Sequence, residues 1–260
     1  MGIHSTAIIS KNAQISDSAD IGPFCVIKGK VKIGPRTKLD SHVCVGTDNT
    51  EIIIGSDNHF CQGAVIGGPP QDLTYKDEPT SLVIGDFNTI REFCTINIGT
   101  VKGGGVTRIA NHCLLMAYTH VAHDCQIGNH VVIANSAQFA GHVKVEDHVK
   151  IGGGCLFSQF ITLGEYCYIA GDTAVNKDVV PYCIAYGNFA TMRATNKIGL
   201  QRAGFEKSVI DNIHKAIKFL IKGGLTVDEA VEKMKTDCES SEPILKLINF
   251  VSKSERGLAR

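Results

Sequence analysis

The chain carries no net charge: its 260 residues include 26 Lys and Arg against 26 Asp and Glu. Such a balance gives no general electrostatic pull toward nucleic acid or a membrane surface, and neither is expected as a partner. Long apolar runs are also missing. No stretch approaches the roughly 18 residues that a membrane-spanning helix needs, so no integral membrane segment is expected. The N-terminus lacks a basic region followed by an apolar core, and the expected location is the cytoplasm. Met1 to Thr6 fit a loose myristoylation pattern, but Ile3 already opens the repeat described below, so the match is read as chance. There are ten cysteines but no CxxC pair, which fits a reduced setting.

What is present suits a globular chain, with 43% hydrophobic and 20% charged residues. Charge is unevenly spread. Residues 193–260 hold 13 basic and 9 acidic side chains, against 13 and 17 in residues 1–192, so an acidic partner is expected to meet the C-terminal end.

An aliphatic or aromatic residue recurs at every sixth position, in long runs such as Ile3, Ile9, Ile15, Ile21, Ile27, Ile33, Leu39, Val45 and Ile109, Leu115, Val121, Ile127, Ile133, Phe139, Val145. A period of six fits neither a lone helix nor an ordinary strand. The next residue is often Gly (Gly22, Gly34, Gly128, Gly152), and the fourth after the aliphatic is small (Ala7, Ala13, Ala19, Ala137). This is the hexapeptide signature of a parallel β-helix, in which short strands meet at turns and each coil stacks on the last. Cys25, Cys94, Cys113, Cys125, Cys155 and Cys167 all fall at that fourth position, so they are read as small buried hydrophobes.

The period breaks three times: by three extra residues between Val45 and Ile54, by "GGPPQDLTYKDEPT" at 67–80, and by "KGGG" at 102–105. Loops on a regular solenoid usually carry function, although a glycine run alone is weak evidence for phosphate binding. After Tyr186 the spacing turns helical. Val209, Ile210, Ile213, Ala216, Ile217 and Leu220 form one stripe, Thr226 and Glu229 a capping box, and Ile244, Leu245, Leu247, Ile248 and Val251 a third element. The division expected is a mainly β unit over 1–186 and a helical domain over 187–260 that covers the edge of the last coil.

If three hexads make one coil, residues 18 apart stack at about 4.8 Å. His123 then lies under Gly141, Gln159 and Lys177, and Asp124 under His142, on the outside of one corner. Two histidines three apart, His120 and His123, could bind a metal, could be ordinary turn residues, or could supply a base. No thiolate or third histidine recurs at matching spacing, and no metal or cofactor is expected. An imidazole with a neighbouring carboxylate and a glycine N–H suits acyl transfer: the ring takes a proton from a hydroxyl and the N–H stabilises an oxyanion. A second column, Asn135, Gly153 and Gly171, places two glycines together, where they either leave a groove or serve turns of positive φ.

"AHDCQIG" (122–128), "FAGHV" (139–143), "PPQDLTY" (69–75), "GNFAT" (187–191) and "RGLAR" (256–260), in this order over essentially the whole chain, closely resemble the UDP-N-acetylglucosamine 3-O-acyltransferase family that begins lipid A biosynthesis. The resemblance implies a homotrimer of left-handed parallel β-helices with sites between subunits, and a (3R)-hydroxyacyl donor carried on acyl carrier protein. It implies His123 as general base, Asp124 as its orienting partner and the Gly141 N–H as oxyanion donor. Gln71, Asp72, His120, His142, Gln159, Asn196 and Arg202 fall on substrate-contacting positions, and Gly171 at the end of the acyl groove.

Departures lie on the sugar side. Thr74 stands where the pattern has a Lys expected near the nucleotide phosphates, and Asn97 and Ser158 each stand where it has a His. Ala203 replaces one of two arginines before Gly-Phe. A sugar acceptor with a 3-amino group is therefore open beside the 3-hydroxyl one. Two other classes compete: a metal-dependent hydratase of the γ-carbonic-anhydrase type and a non-catalytic β-helical assembly protein.

Overall fold

A computed structural model describes residues 2–222 and 224–260. The loose lipidation pattern begins at Met1, which lies outside the described residues. Strands of mostly two residues alternate with turns through Val175 and stack into three parallel sheets of nine, eight and ten strands, the last closed by a hairpin. Successive strands visit the three faces in rotation. His120–Val121, Gln126–Ile127 and Val132–Ile133 belong to the first, second and third face. Register follows the 18-residue repeat, with His120 paired to Gln138 and Gln138 to Leu156.

The sixth-position aliphatics fill the interior: Ile27, Val45, Ile66, Ile90, Val121 and Ile133 are all fully buried. Each such side chain contributes roughly 1.5–3 kcal/mol relative to exposure. The small residues four places on occupy the corners, and the six cysteines among them are buried and unpaired. Burial pushes the thiols of Cys94 and Cys113 up to about 11 and that of Cys125 up to about 12, so they stay protonated and inert. Just before each of these corner residues the backbone turns left-handed. Asp124 (φ 61°), His130 (φ 55°) and His142 (φ 64°) all adopt this conformation, which Asp and His tolerate better than most residues. Gly153 and Gly171 are not among the glycines with positive φ, so the turn reading of that column does not hold. A Cβ on Gly171 would meet nothing nearer than the Gly153 carbonyl oxygen at 3.4 Å, which leaves the corner open.

The strands Cys183–Gly187 and Ala190–Thr195 form an antiparallel hairpin on the third face, and the boundary expected at residue 186 falls inside it. Four helices follow: α1 (Lys197–Arg202), α2 (Lys207–Ile221), α3 (Val227–Asp237) and α4 (Glu242–Lys253). The Thr226 and Glu229 capping box forms as expected. In α4, Ile244, Leu247 and Val251 are buried, whereas Leu245 is 58% exposed and lies off the apolar stripe. The helices are tied to the last coils, through Lys246 on Glu165 at 3.1 Å, Ser254 on buried Asp178 at 2.6 Å, and Phe205 packed edge-on against Tyr166.

Candidate active site

His123 and Asp124 occupy the turn between the first and second faces, directly after the strand His120–Val121. Adjacent positions on a turn bring their side chains together: His123 Nδ1 lies 2.8 Å from Asp124 Oδ2. An ionised carboxylate only accepts, so it takes the Nδ1–H and leaves the Nε2 lone pair free. Asp124 is held on the opposite side by Thr100, whose backbone N–H donates to Oδ1 at 2.8 Å and whose hydroxyl donates to Oδ2 at 2.7 Å. The Asp124 N–H in turn donates to Thr107 Oγ1 at 2.7 Å.

His123 lies outside the aliphatic core, on the outer side of the corner, yet its surroundings leave it only 7% exposed. Its ring lies flat over Gly141, where an added Cβ would come within 2.5 Å of His123 Cε1. Contacts that short are not tolerated, so any side chain at this position would displace the imidazole. The N–H groups of Ala140 and His142 donate to the neighbouring coils, whereas the Gly141 N–H has no backbone acceptor among the described residues. It is a free donor beside an imidazole.

Gln71, His120, His123, Gly141 and Gln159 line one concavity, with Phe139, Leu156 and Phe157 supplying an apolar wall. Lys177, expected at the top of the His123 column, does not line it. Asp72 sits on the same loop as Gln71, its carboxylate held low first by the Thr74 N–H and then by the Thr74 hydroxyl, with the charges of His123 and Lys102 adding to the effect. His142 stacks on Phe160 at 4.4 Å and meets His123 edge-on at 5.1 Å between centroids. His120 Nδ1 lies 2.7 Å from Thr95 Oγ1. Burial holds both His120 and His142 below the ordinary 6.5, the charge of His123 adding to the effect and Asp124 opposing it at His142. Near neutral pH both rings are therefore uncharged hydrogen-bonding groups.

Three expected site residues lie elsewhere on the chain. Gly171 is at the corner between the third and first faces. Asn196 caps α1 and donates to the Tyr166 carbonyl near the corner between the second and third faces, and Arg202 ends the same helix, exposed. Thr100, by contrast, was not expected. It belongs to the interruption before Ile109, and no period links it to Asp124. Asn97 is 6% exposed and its Oδ1 has no partner among the described residues.

His123, Asp124 and His142 also offer ligand atoms within 4.8 Å of one another. A metal there would compete with the Thr100 and His123 hydrogen bonds for Asp124. The arrangement as it stands is a proton acceptor, an orienting carboxylate and an N–H donor around a partly apolar cleft, which suits attack of a hydroxyl or amine on a carbonyl.

A family model described as UDP-N-acetylglucosamine O-acyltransferase, domain 2, matches residues 178–259, and one for bacterial transferase hexapeptide repeats matches residues 107–141. Over 98% of its length the chain is 38% identical to the acyl-[acyl-carrier-protein]--UDP-N-acetylglucosamine O-acyltransferase of Campylobacter concisus, covering 96% of that protein. It is 42% identical to the protein of the same name from Campylobacter lari, covering 96% of this chain and 95% of the relative. The crystal structure of UDP-N-acetylglucosamine O-acyltransferase from Moraxella catarrhalis superposes with a TM-score of 0.95 at 43% identity, covering 100% of both chains. The Arabidopsis UDP-N-acetylglucosamine acyltransferase does so at 0.91 and 30% identity, covering 99% of this chain and 100% of the other. Full-length identity of this order, a left-handed parallel β-helix with C-terminal helices and a matching order of elements place the chain in the UDP-N-acetylglucosamine O-acyltransferase family.

Proposed function

We propose that this chain transfers a (3R)-hydroxyacyl group from acyl carrier protein to the 3-position of UDP-N-acetylglucosamine, or of its 3-amino analogue, in lipid A biosynthesis. His123 Nε2 takes the proton of the sugar 3-hydroxyl as the oxygen attacks the thioester carbonyl. The Gly141 N–H stabilises the oxyanion of the tetrahedral intermediate. As the intermediate collapses, the imidazolium returns the proton to the departing carrier thiolate. Asp124 holds the ring in the reactive tautomer, and Gln71, Asp72, His120, His142 and Gln159 contact the substrate. The observation that carries this reading is the His123 to Asp124 hydrogen bond set beside the free Gly141 N–H.

A homotrimer supports the remaining assignments. Asn196 and Arg202 sit near another corner, from which a neighbouring copy would carry them to the cleft, whereas Gly171 lies at the far edge of the first face, just before Ala174 on the cleft wall. Lys207, Lys215, Lys218 and Lys222 are exposed on or just beyond α2 and form a basic surface suited to an acidic carrier protein.

The test is mass spectrometry of products after incubation with (3R)-hydroxyacyl carrier proteins of mixed chain length and both sugars. A UDP-sugar heavier by one acyl group supports the reading, and the mass and the sugar consumed identify chain length and acceptor. Absence of acyl transfer to either sugar would overturn it, and bound zinc with carbon dioxide hydration would establish the hydratase class instead.

A further inference from the structure

Two concavities flank the corner that carries His123 and Asp124, and they differ in charge. The first, described above, is lined by Gln71, His120, Gln159 and apolar residues, with no lysine or arginine. The second holds Asp124 and His142 on its wall together with four cations, Lys102, Lys144, Lys253 and Arg256, and two further carboxylates, Asp178 and Glu255. A UDP-sugar carries a diphosphate, which needs cationic or N–H partners once it leaves bulk water. The first concavity offers it no cation.

Lys102 is the cation that the fold ties to the substrate loop. Its Nζ donates to Thr74 Oγ1 at 2.9 Å, across 28 positions of sequence. The Thr74 hydroxyl donates onward to Asp72 Oδ1 at 2.9 Å, and the Thr74 N–H reaches the same oxygen at 2.8 Å. Lys102 thus bridges the second and third interruptions of the coil, one carrying Gln71 and Asp72 and the other carrying Thr100, which holds Asp124. Its direct contact is a neutral hydroxyl, and the carboxylates it faces, Asp72 and Glu78, act on it through charge without a direct ion pair among the described residues. Lys76, closer in sequence, has only its backbone N–H engaged, by Glu78 at 2.7 Å.

Resting on the nucleotide-sugar reading above, we propose that Lys102 binds the diphosphate of the UDP-sugar, supplying from the third interruption the positive charge that Thr74 does not. A lysine at position 74 would carry its ammonium into the same space, so the two positions are interchangeable carriers of one charge. Lys102 is a specificity-determining residue for the nucleotide diphosphate and takes no part in proton transfer.

Lys102→Met keeps most of the apolar stem and removes the charge. Binding is measured by titration calorimetry with UDP-N-acetylglucosamine and UDP, and by competition with uridine at millimolar concentration. A hydrogen bond to a charged group is worth about 1.5–3 kcal/mol, so loss of about tenfold or more in affinity for both diphosphates is expected. Uridine affinity should be unchanged, and the Lys102→Met/Thr74→Lys double variant should regain most of the loss. Unchanged UDP affinity in Lys102→Met would overturn the proposal, as would equal weakening of uridine, which would make Lys102 a strut between loops. A double variant that fails to recover would overturn the shared position. A native protein that binds neither UDP nor the UDP-sugar would overturn the nucleotide-sugar reading itself, and so would be told apart from failure at Lys102.

Discussion

In the regular coils a side chain's neighbours are set by hydrogen-bond register: His120 lies beside Gln138, His123 over Gly141, and Asp124 next to His142, each 18 residues on. In the second and third interruptions nothing repeats. There Thr100 reaches Asp124 across 24 positions and Lys102 reaches Thr74 across 28, through loops whose path no period dictates. The coils place the reacting groups to within a strand spacing, and the loops then fix charge and tautomer. Stacking alone leaves a carboxylate at a corner. The loop makes it a buried acceptor for three donors.

That contrast can be broken from the coil side first. His123→Ala removes the base and should lower kcat/KM by about 10²–10⁴-fold while the protein stays folded, because the side chain lies outside the aliphatic core. Retention of more than half the native rate would remove His123 from the chemistry. Asp124→Asn should lower kcat with little change in KM for the sugar, since it acts through the ring. Gly141→Ala comes next. Its Cβ would sit within 2.5 Å of the His123 ring, so the imidazole must move, and a loss of about 10–100-fold is expected, mostly in kcat. A fully active Gly141→Ala would show that the ring position is not critical.

The third comparison lies between corners. Gly171→Met should favour donors several carbons shorter without loss of rate on the new best donor, because each methylene is worth about 0.8 kcal/mol and the glycine's open backbone has room for a side chain. A parallel decline for all chain lengths would place the acyl groove elsewhere. The smallest effect concerns acid. His120 and His142 are held below 6.5 by burial, so the folded state resists their protonation. Their depressed values cost nothing above pH 6.5 and destabilise the fold as pH falls below it. The thermal midpoint should therefore drop as pH falls below about 6.5, and drop less in a His120→Gln/His142→Gln variant. Equal drops in the two proteins would mean that other groups carry the acid response.

The three-sided helix, its core and the stack of His123 on Gly141 were legible because a six-residue period fixes both face and neighbour. The left-handed corners left a trace as well. Phe93, Tyr118, Asp124, His130 and His142 share the third place after the aliphatic, and all have positive φ. Thr100 and Lys102 left none, since a loop contact depends on the path between its ends. Asn196 and Arg202 were legible only through family resemblance, and one chain does not bring them to the cleft, whereas Gly171 was also marked by the 18-residue column it shares with Gly153. Leu245 fits a helical stripe by count, yet it faces solvent because α4 is buried on one side only.

The central claim is that the loop completes what the coil positions, so that Thr100 acts through Asp124 on His123 and on nothing else. A double-mutant cycle on kcat/KM tests it, using native protein, Thr100→Val, His123→Ala and the double variant. Thr100→Val removes the hydroxyl that donates to Asp124 Oδ2 and accepts from the Gly103 N–H at 3.2 Å, and should cost about tenfold, the scale of the one charge-assisted hydrogen bond. In the His123→Ala background the same change should cost almost nothing. Equal costs in both backgrounds would show that Thr100 and His123 act independently, and would contradict the account.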